Sequence, residues 1–544
     1  MAVDILTRAE PFDACVIGSG PAGATAAREL VLAGARVLLI EAGREVQPSE
    51  YAGHKWPYQF PHRGSWPERQ AIFYPDNIDR EVRFSGDPLS VDRIRVLGGR
   101  SLHWNGVTLR FSPDDFREGT LHGMEPDWPI SYDELAPFYS EAERLIGVVG
   151  TREGLPQLPD GDFYAPPPPM RCAEQLGRKA CRTLGIPMIP VRKALQVGAM
   201  RGTRMPCHYC RHCMDGCEVG AIATSVNAIL PDALATGRLT LRTNALVRQI
   251  DVDGEGRASG VTFVDRVTRR DHSIRARFVV VGCGAIETPR LLLNSASARF
   301  PNGLANSSGL VGRYLTGHTQ LNMHGYLEAL VGRDPVNQDG ATDHSIIPRY
   351  NHLRPAKDHV GGFFAQVMYE THDYPHHATR VAGFGTSFKR DVAALQPAMF
   401  QMGGMAKVIA RRESQVAIAS GKADAHGIPL PSVQFTYCDN DRALWNEMSA
   451  SLEEIFHTAG ARLFFKDSWM NGFASHEAGT CRMGDDPKTS VLNRSSQAHD
   501  VPNLFVVDGS AFTTLPEKNP TLTIIALSMR AGRHVAGLAR RGER

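Results

Sequence analysis

The chain has 544 residues, more than one ordinary hydrophobic core organises, so two large domains or one domain with long insertions are expected. Its 60 basic and 58 acidic residues leave a net charge of +2, which excludes nucleic acid and an anionic membrane as favoured partners. No run approaches the apolar length of a transmembrane helix, and the N-terminus carries neither an apolar signal core nor a twin-arginine pair, so no direct membrane span and a cytoplasmic location are expected.

Residues 12–17 (F-D-A-C-V-I) read as a short buried strand, followed by the turn G-S-G-P-A-G, an Ala-rich helix from about Ala22 to Ala33, and a second strand in A-R-V-L-L-I-E-A-G. Gly18, Gly20 and Gly23 make G-x-G-x-x-G between that strand and that helix. The first glycine permits the tight turn, the second lets backbone approach a pyrophosphate, and the third lets helix and strand pack closely. Glu41 ends the next strand, where its carboxylate can accept from the ribose hydroxyls of an adenosine. This unit alone leaves FAD or NAD open; no second fingerprint of its quality follows.

The Pro-rich stretch 155–170 cannot be a regular element. L-T-L-R-T-N-A-L-V-R-Q-I-D-V and G-V-T-F-V-D read as strands, and R-F-V-V-V-G-C-G-A-I-E-T-P-R-L-L-L-N-S as strand, turn and helix. T-H-D-Y-P-H-H-A-T, with His372, His376 and His377, reads as a polar loop tip, and G-F-G-T-S-F-K as a surface turn or a lid over the substrate. A helix is expected near 440–459 and a last one from N-P-T-L-T-I-I-A-L onward.

Ten cysteines are present, six of them scattered, which is not a disulfide framework. The other four, Cys207, Cys210, Cys213 and Cys217, form C-x2-C-x2-C-x3-C, a spacing that can surround one inorganic centre. An iron–sulfur cluster, zinc, and free or structural thiols all remain open; Glu218 stands where the ferredoxin run has proline.

Four motifs, R-V-L-G-G-R-S-L-H-W-N-G (95–106), H-E-A-G-T-C-R-M-G (476–484), N-L-F-V-V-D-G-S (503–510) and N-P-T-L-T-I-I-A-L (519–527), resemble the glucose–methanol–choline oxidoreductase family in content and order. V-G-R-Y-L-T-G-H (311–318) carries the resemblance into the middle of the chain. G-G-R-S-L-H-W is similar to the pattern of the sugar-oxidising branch, the pyranose oxidases and glucoside 3-dehydrogenases. The resemblance implies FAD, with His476 as the base at a substrate carbinol and Asn519 holding the substrate oxygen. It implies cofactor contacts from Gly98, Gly99, Asn105 and Gly106, a backbone contact at Val247, and contacts from Asp508, Gly509 and Thr521. His103 matches a histidine that in pyranose oxidases is bonded to the flavin; a noncovalent contact is the alternative.

The expected fold is α/β: a Rossmann-like FAD-binding domain (1–120, 200–330 and 470–544) with a discontinuous α+β substrate domain (121–199 and 331–469) built on an antiparallel sheet. The expected activity is FAD-dependent oxidation of a secondary ring hydroxyl of a sugar or glycoside. Oxygen, a quinone or a cytochrome would accept the electrons, and a small or cytochrome partner subunit would accompany a cluster. The alternatives are an oxidase of a simple or aromatic alcohol and, from another class, a non-catalytic flavin or iron–sulfur electron-transfer subunit.

Overall fold

A computed structural model describes residues 10–51, 82–90, 94–210, 213–334, 345–351, 359–368, 376–468 and 470–543. Phe12–Ile17 is a strand whose Cys15 and Val16 are fully buried, as a strand covered on both faces requires. It pairs in parallel with Val37–Ile40 on one side and with Asp271–Val281 on the other. Leu239–Arg242 and Leu504–Val506 extend the parallel array. The first half of Asp271–Val281 pairs antiparallel with Ala258–Asp265, which pairs with Ala245–Val252, so one long strand joins a parallel array to a meander in a seven-stranded sheet.

The first crossover is the helix Pro21–Leu32, which packs on the last helix, Thr521–Arg541. Small residues make the contact close: a Cβ on Gly532 would stand 3.0 Å from Glu29 Cβ.

The second sheet has eight strands, and its centre is antiparallel: Thr316–Leu327, Met399–Lys407, Phe363–Met368 and Ser345–Ile347 in spatial order. One face carries Leu321, Met323, Phe363, Ala365, Val367, Met402 and Ala406 into a core closed by the helix Asp439–Thr458. Period-2 alternation sends the residues between them to the other face, toward the first sheet. Thr316–Leu327 belongs to this second sheet, although its residues fall within the 200–330 stretch allotted by sequence to the FAD-binding unit.

The join between the sheets is aromatic and ionic. Phe111, Phe116, Trp128 and Phe512 form one cluster of tilted and edge-on rings, and such pairs contribute about 0.5–1.5 kcal/mol each beyond area burial. Trp128 Nε1 donates to Thr514 Oγ1 (2.8 Å), and Tyr139 shares a hydrogen with Thr523 Oγ1 (2.7 Å). Lys518 Nζ lies 2.7 Å from Asp115 and 2.8 Å from Glu517, with Arg349 beside both carboxylates. Burial opposes ionisation of Glu517, but the charges of Lys518 and Arg349 prevail and hold its carboxyl at about 2. The segment 512–523 is thus clamped from both sides.

Two local expectations change. Gly385–Leu395, which takes in most of G-F-G-T-S-F-K, is a helix, and His377 is buried with Nε2 donating to the Val392 carbonyl (2.9 Å). His372 lies outside the described residues. Among the described residues no helix is long and apolar enough to cross a membrane.

Candidate active site

A cavity of about 310 Å³ runs between the two sheets. At one end it is lined by Gly18, Gly20, Glu41, Val247, Asp508 and Gly509, and along its length by Gly99, His103, Asn105 and Gly106. His476, Asn519 and Thr521 stand at the other end with Gln366 and Met405 of the second sheet. Gly23 and Gly98 sit behind the wall. None of the four clustered cysteines reaches the cavity, although Met214, between them, does.

The nucleotide end is made of backbone. Gly18 has φ +93°, and a Cβ there would meet the Gly282 carbonyl oxygen at 2.5 Å; a Cβ on Gly23 would lie 1.9 Å from the Gly18 oxygen. Glu41 locks this turn: Oε2 accepts from Ser19 N (3.0 Å) and Ser19 Oγ (2.6 Å), and Oε1 from Gly43 N (2.8 Å). Burial pushes its carboxyl up, and these three hydrogen bonds oppose that rise. Three of roughly four lone-pair sites are used, so the carboxylate keeps capacity on Oε1 for one further donor. Gly98 N donates to Ser19 Oγ (2.9 Å), which ties the 95–106 segment to the glycine turn. Asp508 is an organiser: it accepts from Gly284 N, Thr288 Oγ1, Ser510 N and Ser510 Oγ at 2.5–3.0 Å, joining the turn after Val281 to the strand end at Val506.

The reactive end is made of side chains. His476 stands on the strand Asn471–Ala478, where the register against Thr316–Leu327 slips: Thr316 faces Ala478, yet His318 faces Phe473. The slip leaves His476 among the residues between the two paired stretches, and such irregularities recur beside active sites. His476 Nδ1 lies 2.9 Å from His318 Nδ1, and His318 Nε2 lies 2.7 Å from the Pro516 carbonyl oxygen. A carbonyl can only accept, so His318 carries its hydrogen on Nε2 and offers a lone pair at Nδ1. His476 must then donate from Nδ1, which leaves Nε2 as a lone pair. That atom is 3.4 Å from Asn519 Nδ2. Burial, His318 and Arg100 push His476 well below its ordinary value, and burial lowers His318 to about 4. Both imidazoles are therefore neutral at neutral pH. Arg100 itself forms a two-pronged pair with Glu477 (2.9 Å each).

His103 donates from Nδ1 to the Met214 carbonyl, which sets the cysteine loop against the cavity wall. Cys207, Cys213 and Cys217 pack with Ala221 and Ile222 in an apolar cluster. Burial pushes the Cys207 thiol up to about 12 and raises Cys217 as well. Among the described residues no three Cys, His, Asp or Glu side chains converge on a common point. The expected ligand set is not assembled in this arrangement.

Sequence reasoning did not single out Ser19, His318, Gln366 or the Pro516 carbonyl. Ser19 was legible inside G-S-G, and the alternating run His318, Gln320, Asn322 signals a polar sheet face. The remaining two depend on tertiary placement.

The cavity fits FAD. The helices Pro21–Leu32 and Thr521–Arg541 both open on it with no side chain capping their first amides, and such ends attract phosphate and polar ring edges. Asn105 Oδ1 and Asn519 Oδ1 are buried there without a hydrogen-bond partner among the described residues, as a site built for a polar ligand leaves them. Two family models match the chain, one over residues 13–320 and one over 410–528, both described as GMC oxidoreductase. The chain is 33% identical to the 2-methyl-1,2-propanediol dehydrogenase of Mycolicibacterium austroafricanum, over 97% of this chain and 96% of that protein. It is 30% identical to the paromamine 6'-oxidase of Streptomyces fradiae, over 97% and 91%. It is 27% identical to the C-glycoside 3-oxidase of Microbacterium trichothecenolyticum, over 97% and 98%. The lone pair on His476, the carboxamide beside it and the nucleotide cradle are thus set in a chain that belongs to the GMC oxidoreductase family, an FAD-dependent oxidoreductase acting on CH–OH donors.

Proposed function

We propose that this enzyme oxidises a hydroxyl of a sugar or glycoside, with a secondary ring hydroxyl giving a keto-sugar. The observation that carries the reading is the chain Pro516 carbonyl–His318–His476, which leaves His476 Nε2 as a proton acceptor beside Asn519. The names of the C-glycoside 3-oxidase and the paromamine 6'-oxidase support the substrate class.

Bound FAD supplies a two-electron acceptor for hydride. The chain's own residues do the rest. Asn519 Nδ2 donates to the substrate oxygen and orients the carbinol. His476 Nε2 takes the hydroxyl proton as hydride leaves the same carbon, so one proton and one hydride depart and a carbonyl remains. The neutral state of His476 keeps it competent as a base, and the relay to Pro516 prevents the ring from presenting N–H to the substrate. Gly18, Gly20, Glu41, Val247, Gly509 and Thr521 would hold the dinucleotide. His103 would lie against the ring edge, and colour kept in an acid precipitate would report a covalent link there.

The division into an FAD-holding unit and a substrate unit is also proposed, with the internal border drawn before Thr316 so that the strand Thr316–Leu327 stays with its sheet. A cytoplasmic location and oxygen, quinone or cytochrome as acceptor rest on sequence alone. The iron–sulfur centre is supported only by cysteine spacing, so no electron is routed through one; iron and labile-sulfide assays decide it.

The test is anaerobic mixing of the holoenzyme with a panel of sugars, glycosides and simple alcohols. Bleaching of the flavin by sugars, abolished in His476→Ala, is expected. Bleaching by simple alcohols alone favours the alcohol oxidase, and no bleaching by any donor favours a non-catalytic flavin subunit.

A further inference from the structure

The reactive end of the cavity holds one polar group that proton and hydride removal do not use. Gln366 lines it with His476, Asn519 and Met405. Strand alternation fixes its direction. Phe363, Ala365 and Val367 enter the core under the helix Asp439–Thr458, so Gln366 turns the other way. Its cross-strand neighbours are Gly403 on one side and Ile346 on the other, and neither brings a side chain able to hydrogen-bond. Gln366 is only 5% exposed, and its carboxamide has no hydrogen-bond partner among the described residues. Buried carboxamides are ordinarily satisfied; one left open toward a cavity is completed by a ligand.

We infer that Gln366 determines specificity by binding a second hydroxyl of the substrate, distinct from the one His476 deprotonates. The inference rests on the sugar-oxidising reading and sharpens it. A carboxamide presents N–H donors and a carbonyl acceptor, and a hydroxyl presents one of each, so the two groups satisfy one another fully. A cation would use only the carbonyl, and a carboxylate only the N–H. The adjoining wall is apolar, from Met405 and Val107, and suits the C–H face of a ring. A simple alcohol entering this site leaves the buried carboxamide unpaired, and such loss discriminates far more strongly than a missing methylene does.

The experiment compares flavin bleaching by trans-1,2-cyclohexanediol and cyclohexanol, and by methyl β-glucopyranoside and its monodeoxy analogues, in wild-type holoenzyme and in Gln366→Leu. Wild type is expected to prefer the diol and the full glycoside by about 100-fold in kcat/KM. In Gln366→Leu that ratio is expected to fall at least about tenfold, and one monodeoxy analogue should approach the full glycoside. Gln366→Glu keeps an acceptor in place and should retain part of the ratio, and it serves as the readout should the leucine variant fold poorly. An unchanged ratio, or an equal loss on both members of each pair, overturns the role. A wild-type flavin that no hydroxyl donor bleaches overturns the functional reading as well; bleaching without discrimination overturns only the inference on Gln366.

Discussion

The two ends of the cavity are built by different means. At the nucleotide end the contacts are backbone: a glycine turn, the uncapped start of the helix Pro21–Leu32, and one carboxylate locking the turn through Ser19 and Gly43. At the reactive end they are side chains gathered from positions 318, 366, 476 and 519 by the second sheet and a clamped loop. The first tolerates side-chain changes that keep the backbone path; the second depends on individual atoms. Substitution separates the two. His476→Ala is expected to slow substrate reduction of the flavin about 100- to 10,000-fold while the protein keeps its flavin. Gly23→Val is expected to do the reverse, losing flavin on purification, because any side chain there strikes the Gly18 carbonyl. Flavin content and anaerobic reduction rates read both, and loss of flavin in His476→Ala would dissolve the distinction.

The clamp on the loop before the last helix is the costliest part of the reactive end. Lys518 is 3% exposed, and its partners Asp115 and Glu517 are more buried still. Lys518→Met leaves two carboxylates facing Arg349 alone, and breaking a buried pair from one side costs about 3–5 kcal/mol. Denaturant unfolding of the two proteins measures it; a difference under about 1 kcal/mol, the range of an exposed pair, would show the cluster to be solvated.

This contrast also explains what the sequence discloses. The strand–turn–helix–strand at Phe12–Ile40 lies within thirty contiguous residues, with Gly18 and Gly34 at positive φ and Gly23 against the Gly18 carbonyl, so residues 18–41 could be read directly. His476 and Asn519 were reachable because motifs carry them. His318 ends the motif 311–318, but its role needs the Pro516 carbonyl brought against it, and Gln366 lies in no motif, its meaning coming from which sheet face meets the cavity. The cysteine run is the opposite case: its spacing permits a ligand set, but spacing alone does not say what the four thiols hold once Cys207, Cys213 and Cys217 pack against Ala221 and Ile222.

Acid should act on the reactive end first. His318 is held at about 4 by burial, against 6.5 when free, so between these values the unfolded chain binds a proton that the folded chain refuses. Stability is then complete above pH 6.5 and falls as the pH drops toward 4, by on the order of 3 kcal/mol from this group. His476, lowered in the same direction, adds to the slope. The rate of flavin reduction should stay level through neutral pH and fall only in acid, since the base is already unprotonated. Unfolding midpoints between pH 7 and 4 test this, and a slope unaltered in His318→Phe would remove His318 from the account.

The smallest effect separates orientation from chemistry within the relay. His318 touches neither substrate nor cofactor by this geometry; it is a positioning residue that accepts from His476 Nδ1–H and is itself fixed by the Pro516 carbonyl. His318→Phe fills the space but removes the acceptor, so the His476 ring is free to carry its hydrogen on either nitrogen and to turn. A tenfold to hundredfold fall in the reduction rate is expected, about 1.4–2.8 kcal/mol, with little change in substrate KM. His318→Asn returns an acceptor near the lost Nδ1 and should recover part of the rate. A purely structural role would lower stability in both variants alike and leave the rate of the folded fraction untouched. The decisive quantity is therefore the single-turnover rate per bound flavin: if phenylalanine and asparagine give the same value, the proton on His476 is not placed from Pro516.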